Sequence, residues 1–154
     1  MRTASLITLL LLTTIAACEK DQKQRPEEDE LTQQMELLDA WVRPGKKDKM
    51  SAGYLDIYNG TAQTDTLIGV YTPAAGLAEI HESFRQEGGL IGMRPAGKQA
   101  INSGDTLSLE PGGFHIMLSE LQRTLSPRDT LLLHFEFSES GVKSVEAVVR
   151  QQGP

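Results

Sequence analysis

With 154 residues, of which 23% are charged, and a formal charge of −6, the chain is long enough for one domain with its own core and too short for two ordinary ones. The acidic balance excludes nucleic acid and anionic lipid headgroups as principal partners and leaves room for a cation or a basic protein. A lone cysteine, Cys18, excludes a disulfide framework within the chain.

The stretch 1–17, MRTASLITLLLLTTIAA, carries Arg2, an apolar run from Leu6 to Leu12 and small residues just before Cys18. That is the pattern of a secretory signal, too short to span a bilayer as a mature helix. Its end, Ile15-Ala16-Ala17-Cys18, resembles the bacterial lipobox, in which a signal peptidase cuts before a cysteine that becomes diacylated. The resemblance implies a mature chain that begins at Cys18, anchored by lipid to the inner or outer membrane and facing the periplasm. Removing residues 1–17 takes away one base and no acid, so the charge moves from −6 to −7.

Residues 18–38 are expected to form the lipidated cysteine and a tether, since EKDQKQRPEEDE is charged, interrupted by Pro26 and nearly free of apolar side chains. In LTQQMELLDAWV, Leu31, Met35 and Leu38 stand at helix-like spacing, which fits either a short helix or the approach to a first strand.

From 39 to 154 the pattern is that of one β domain. AGYLDIYNG alternates Leu55 and Ile57 against Tyr54, Asp56 and Tyr58, and stops at the turn pair Asn59-Gly60. The runs DTLIGVY, LAEIHES, GLIGMRP, DTLSLEPGG, FHIMLSEL, DTLLLHFEF and VKSVEAVV follow at intervals of about ten residues. Short alternating runs with no helix between them predict an all-β, antiparallel sandwich.

In FHIMLSEL, alternation sends Phe114, Ile116 and Leu118 to one face and leaves His115 and Met117 together on the other. Upstream, Ile80 takes the inward role and His81 the outward one. RQEGG reads as a hairpin loop, and folding back near Glu87 and Gly88 brings Met93 of the return strand roughly opposite His81. The four side chains converge if the 115–117 strand packs beside this hairpin, which spacing alone does not establish. Thioether and imidazole suit Cu(I), whereas the abundant carboxylates suit harder ions. A thioether also survives in an oxidising compartment that would consume a thiolate.

His81, Met93, His115 and Met117, with MRP after the first methionine and PGGFHIM around the second pair, resemble the ligand motif of the periplasmic copper chaperones of the PCu(A)C family. The resemblance runs from about Ala40 to Val149. It implies a cupredoxin-like Greek-key β-sandwich that binds one Cu(I) per chain. It also implies delivery of that copper to the binuclear copper centre in the copper-bearing subunit of cytochrome c oxidase, alongside a thioredoxin-like copper protein. Some members carry Met where this chain has Glu82, so Glu82 is not counted as a ligand. The chain ends VVRQQGP, without the His- and Met-rich tail that holds additional copper in some members.

Other candidates are set aside. His134, in LLLHFEF, belongs to the solvated face. HESFR has Arg85 where a zinc protease needs a second histidine, and neither a nucleophile elbow nor a phosphate loop occurs, so no enzymatic activity is expected. Arg94, Trp41 and the tyrosines are read as structural. A blue-copper electron carrier requires a Cys ligand, and the only cysteine is at the expected anchor. The competing reading is a metal-free lipoprotein sandwich that binds another envelope protein.

Overall fold

The computed structural model describes residues 34–151; the expected signal segment, the lipidation site Cys18 and most of the expected tether lie outside the described residues. Ten strands form in chain order: β1 (Met35–Val42), β2 (Ser51–Asn59), β3 (Asp65–Tyr71), β4 (Ala75–Arg85), β5 (Ile91–Pro95), β6 (Gln99–Ile101), β7 (Thr106–Leu109), β8 (Phe114–Leu121), β9 (Thr130–Phe137) and β10 (Gly141–Val149). The remaining element is a single 3-10 turn, Glu87–Gly89, between β4 and β5.

Period-2 alternation explains most of these strands. In β9, Leu131, Leu133, Phe135 and Phe137 are buried while Thr130, Leu132 and Glu136 are exposed. In β8, Ile116 and Leu118 are fully buried, each contributing about 1.5–3 kcal/mol of hydrophobic stabilisation. The all-β expectation is met.

β1 is a strand, and it starts at Met35, ahead of the boundary at 39 drawn from the sequence. Its register against β2 slips by one residue between Leu38 and Trp41, with Asp39 at φ 54°. The bulge switches the inward set from Met35 and Leu37 to Ala40 and Val42, so the apolar spacing is irregular. Trp41 is left on the other side, against Tyr54 at 4.4 Å and under Arg150 at 5.4 Å.

The strands pair in the order β5-β4-β8-β2-β1-β10-β9-β3-β6, and β7 also pairs with β2. All pairs are antiparallel except β1 with β10. The sheet bends so that β3 contacts β4, closing a sandwich around one apolar core. For function the consequence is local: β8 lies between β4 and β2, and β4 lies between β8 and β5.

Candidate metal centre

The segment Glu110–Gly113 forms a tight turn closed by the Gly113 N–H donating to the Glu110 carbonyl at 3.1 Å. Gly112 has φ +92°, the conformation that a type II turn with Pro111 in second place demands of its third residue. The turn aims the Gly113 carbonyl, which accepts from the Ser83 N–H at 3.1 Å and faces His115 Nδ1 at 3.1 Å. A carbonyl only accepts, so His115 donates from Nδ1 and keeps its lone pair on Nε2. The PGG run therefore fixes both the orientation and the tautomer of the imidazole that follows it.

Cross-strand register supplies the second imidazole. β4 pairs with β8 so that His81 stands directly opposite His115, with ring centroids 6.1 Å apart. His81 Nε2 lies 3.4 Å from a carboxylate oxygen of Glu79, while His81 Nδ1 is buried without a hydrogen-bond partner. A buried polar nitrogen left unpaired is costly. With the ring proton on Nε2 toward the Glu79 carboxylate, Nδ1 presents a lone pair, the donor that a soft cation would use.

The two methionines are diagonal neighbours of His81. Met93 pairs with Ser83, two residues along β4 from His81 and on the same face. Met117 pairs with Glu79 on β4 and with Ala52 on β2. Diagonal neighbours lie about 7–8 Å apart at the backbone, within reach of long side chains. His81 thus has one direct and two diagonal neighbours, and all four residues named from the sequence share one face of β5, β4 and β8. The expectation that Met93 lies roughly opposite His81 is met: Pro95 is the direct partner of His81, and Met93 is two residues away on the same face.

That face is also less open than strand alternation implied. His115 is only 4% exposed and the His81 side chain 15%, whereas Met93 is 55% exposed. Met93, His115 and Met117 line a groove of about 450 Å³ whose walls include Arg43, Met50, Tyr54 and Pro111. Burial pushes the Tyr54 hydroxyl above its usual 10.0, and the nearby Arg43 guanidinium acts in the opposite direction. Tyr54 therefore stays neutral where it lines the groove.

Alternation sends Glu82 to the opposite face of β4 from His81, where two nitrogens of Arg94 donate to its carboxylate at 2.9 and 3.1 Å. Arg94 also lies over the Phe84 ring at 5.0 Å, a packing and pairing role. His134 is on β9, stacked on Tyr71 at 4.6 Å, with Nδ1 2.7 Å from the Ser144 hydroxyl, apart from the groove. Sequence reasoning missed Glu79. Its signal was present, since Glu79 precedes His81 by two residues and so shares its face.

Among the described residues no three His, Cys, Asp or Glu side chains converge. Of the donors on this face, the thioethers are the class that favours Cu(I) over the hard divalent ions.

Comparison with known proteins agrees with this architecture. The sequence model of the LpqE-like family, described as "Putative lipoprotein LpqE-like", matches residues 35–149. A relative from Leifsonia xyli subsp. xyli, "Putative lipoprotein Lxx21020", is 28% identical over 116 residues, which cover 75% of this chain and 69% of that one. The copper-bound PCuAC domain from PmoF2 superimposes with a TM-score of 0.63 at 17% identity, covering 79% of this chain and 96% of that domain. The solution structure of CuI-DR1885 from Deinococcus radiodurans gives a TM-score of 0.59 at 24% identity, covering 78% and 82%. The sandwich is thus the PCuAC fold.

Proposed function

The chain belongs to the LpqE-like family and has the PCuAC fold, and from that premise we propose that it is an extracytoplasmic Cu(I) carrier, anchored by lipid at Cys18. It holds one Cu(I) between His81, Met93, His115 and Met117. It delivers this cargo to the binuclear copper centre of cytochrome c oxidase, with a thioredoxin-like copper protein acting alongside, and it is a carrier rather than a catalyst. The observation that carries the reading is the pair of opposed imidazoles, one with its tautomer set by Gly113 and the other with a buried, unpaired Nδ1, flanked by two thioethers on the same face.

The chemistry follows from the donors. Two neutral imidazoles and two thioethers add no charge to the cation, and their softness favours the cuprous state. No thiolate is among them, so the blue-copper ligand set is missing and electron transfer is not the role. Exposure is graded across the site: His115 is enclosed on β8, while Met93 on β5 faces solvent. An incoming ligand from a recipient therefore reaches the Met93 side first, and the imidazoles release last. That order lets copper pass without ever being free in solution.

The test is transfer. The Cu(I)-loaded full chain, mixed with the copper-free soluble domain of the oxidase subunit and then separated from it, is expected to leave its copper on that domain faster than a Cu(I)-chelator complex of equal affinity does. Transfer no faster than from the chelator contradicts delivery to the oxidase, and the same mixture run with a thioredoxin-like copper protein then identifies whether that protein is the direct recipient.

A further inference from the structure

The groove contains a thioether that the copper reading does not use. β2 starts at Ser51, and its pairing with β8 sets Ala52 opposite Met117. Ser51 and Gly53 are buried, and Met50 precedes them on the side of Ala52 and Tyr54. Met50 accordingly lines the same groove as Met93, His115 and Met117. It is 66% exposed, whereas Met35 sits in the core at 5%. The two exposed methionines thus stand on opposite banks, Met93 on β5 and Met50 at the start of β2, with His115 and Met117 on β8 between them.

We propose that Met50 is an exchange ligand for the cargo, a role that rests on the Cu(I) reading of the groove. Two imidazoles and two thioethers already satisfy the cation, so Met50 binds only as another donor leaves. The Cu(I)–S bond to Met93 breaks first; a Cu(I)–S bond to Met50 then forms at the Met117 end of the site, where the β2–β8 register makes Met50 a diagonal neighbour of Met117. Neither thioether carries a proton and copper stays cuprous, so no proton and no electron moves. His115 remains bound throughout, its ring held by the Gly113 carbonyl. The exchange moves copper from the β5 bank to the β2 bank, beside Arg43.

The experiment is a double-mutant cycle on the full chain with Met50→Leu, Met93→Leu and the double variant. Leucine keeps volume and apolarity while removing the sulfur. Cu(I) affinity is read by competition with a chelator, and the methionine methyl resonances are followed by carbon-labelled NMR during addition of Cu(I). Met50→Leu is expected to weaken Cu(I) binding several-fold more in the Met93→Leu background than in the parent chain. The Met50 methyl resonance is expected to shift with Cu(I) in Met93→Leu, while that of Met35 does not. Equal effects of Met50→Leu in both backgrounds, with a static Met50 resonance, overturn the proposal and leave the copper reading standing. If Met93→Leu and His115→Ala both bind Cu(I) as the parent does, the copper reading itself falls and the Met50 role falls with it.

Discussion

Asp65, the first residue of β3, offers a test of the fold that leaves the groove untouched. Its carboxylate is buried and accepts from the Thr66 N–H at 2.6 Å, the Ser138 hydroxyl at 3.0 Å, the Glu139 N–H at 3.0 Å and the Ser140 N–H at 2.8 Å. It thereby clips β3 to the turn between β9 and β10. Burial by itself raises the pKa, but the Ser140 side chain and the N–H groups of Glu139, Ser140 and Thr66 outweigh it and bring the carboxyl down from 3.8 to about 2. A folded-state pKa below the unfolded one stabilises the fold above the unfolded value and loses that stability as pH falls through the folded value. The depression is worth about 2 kcal/mol at neutral pH, of which about half is gone by pH 3. Asp65→Asn removes this charge and turns an amide N–H₂ toward N–H donors, so the total cost is about 2–4 kcal/mol. Urea unfolding followed through Trp41, the only tryptophan, reads it at pH 7 and at pH 3. The parent is expected to lose more stability than Asp65→Asn between these conditions, while Cu(I) affinity at pH 7 stays the same because neither Asp65 nor its partners Thr66, Ser138, Glu139 and Ser140 line the groove. Equal losses in both proteins would refute the assignment of acid sensitivity to this carboxylate.

The other predictions concern the site. Glu79→Ala is expected to weaken Cu(I) binding by up to about tenfold by freeing the His81 ring, with Glu79→Gln milder because its amide oxygen still accepts; identical affinities in a chelator competition would remove Glu79 from the site. Gly112→Ala meets no steric obstacle but must hold φ +92°, so unfolding should register a loss of about 1–2 kcal/mol together with weaker copper binding as the Gly113 carbonyl shifts. Protons compete with Cu(I) for the imidazole lone pairs, so copper retention is expected to weaken on acidification; an affinity in chelator competition that does not change on acidification would argue against two histidine ligands.

What the sequence made legible follows from the physics of strands. β9 alternates cleanly because one side packs into the core, so its faces were readable from Leu131 to Phe137, and in β8 the inward set of Ile116 and Leu118 was readable although His115, between Phe114 and Ile116, is buried as well. β1 was ambiguous because its bulge at Asp39 changes which residues point inward, and a change of parity mimics helical spacing. β6, only three residues long, carries too little pattern to announce itself. The register of Met93 against His81 was readable only to within a few residues because it is set by the loop between them. Gln86 and Leu90 close it around two glycines, Gly88 at φ +83° and Gly89 at φ +82°, and glycine pairs permit several loop geometries. Alternation gave the face on which His115 lies but not what rises around it, which is why its burial emerged only with the walls of the groove in place.

The central claim stands on Cu(I) binding at the paired histidines and methionines. The direct measurement is competition for Cu(I) between the full chain and a chelator of known affinity, repeated with His115→Ala, Met117→Ala, the variant's fold checked by its unfolding curve. One tightly held Cu(I) per chain, lost in a variant that still folds, is the predicted result. Equal, weak binding by both proteins contradicts the carrier account.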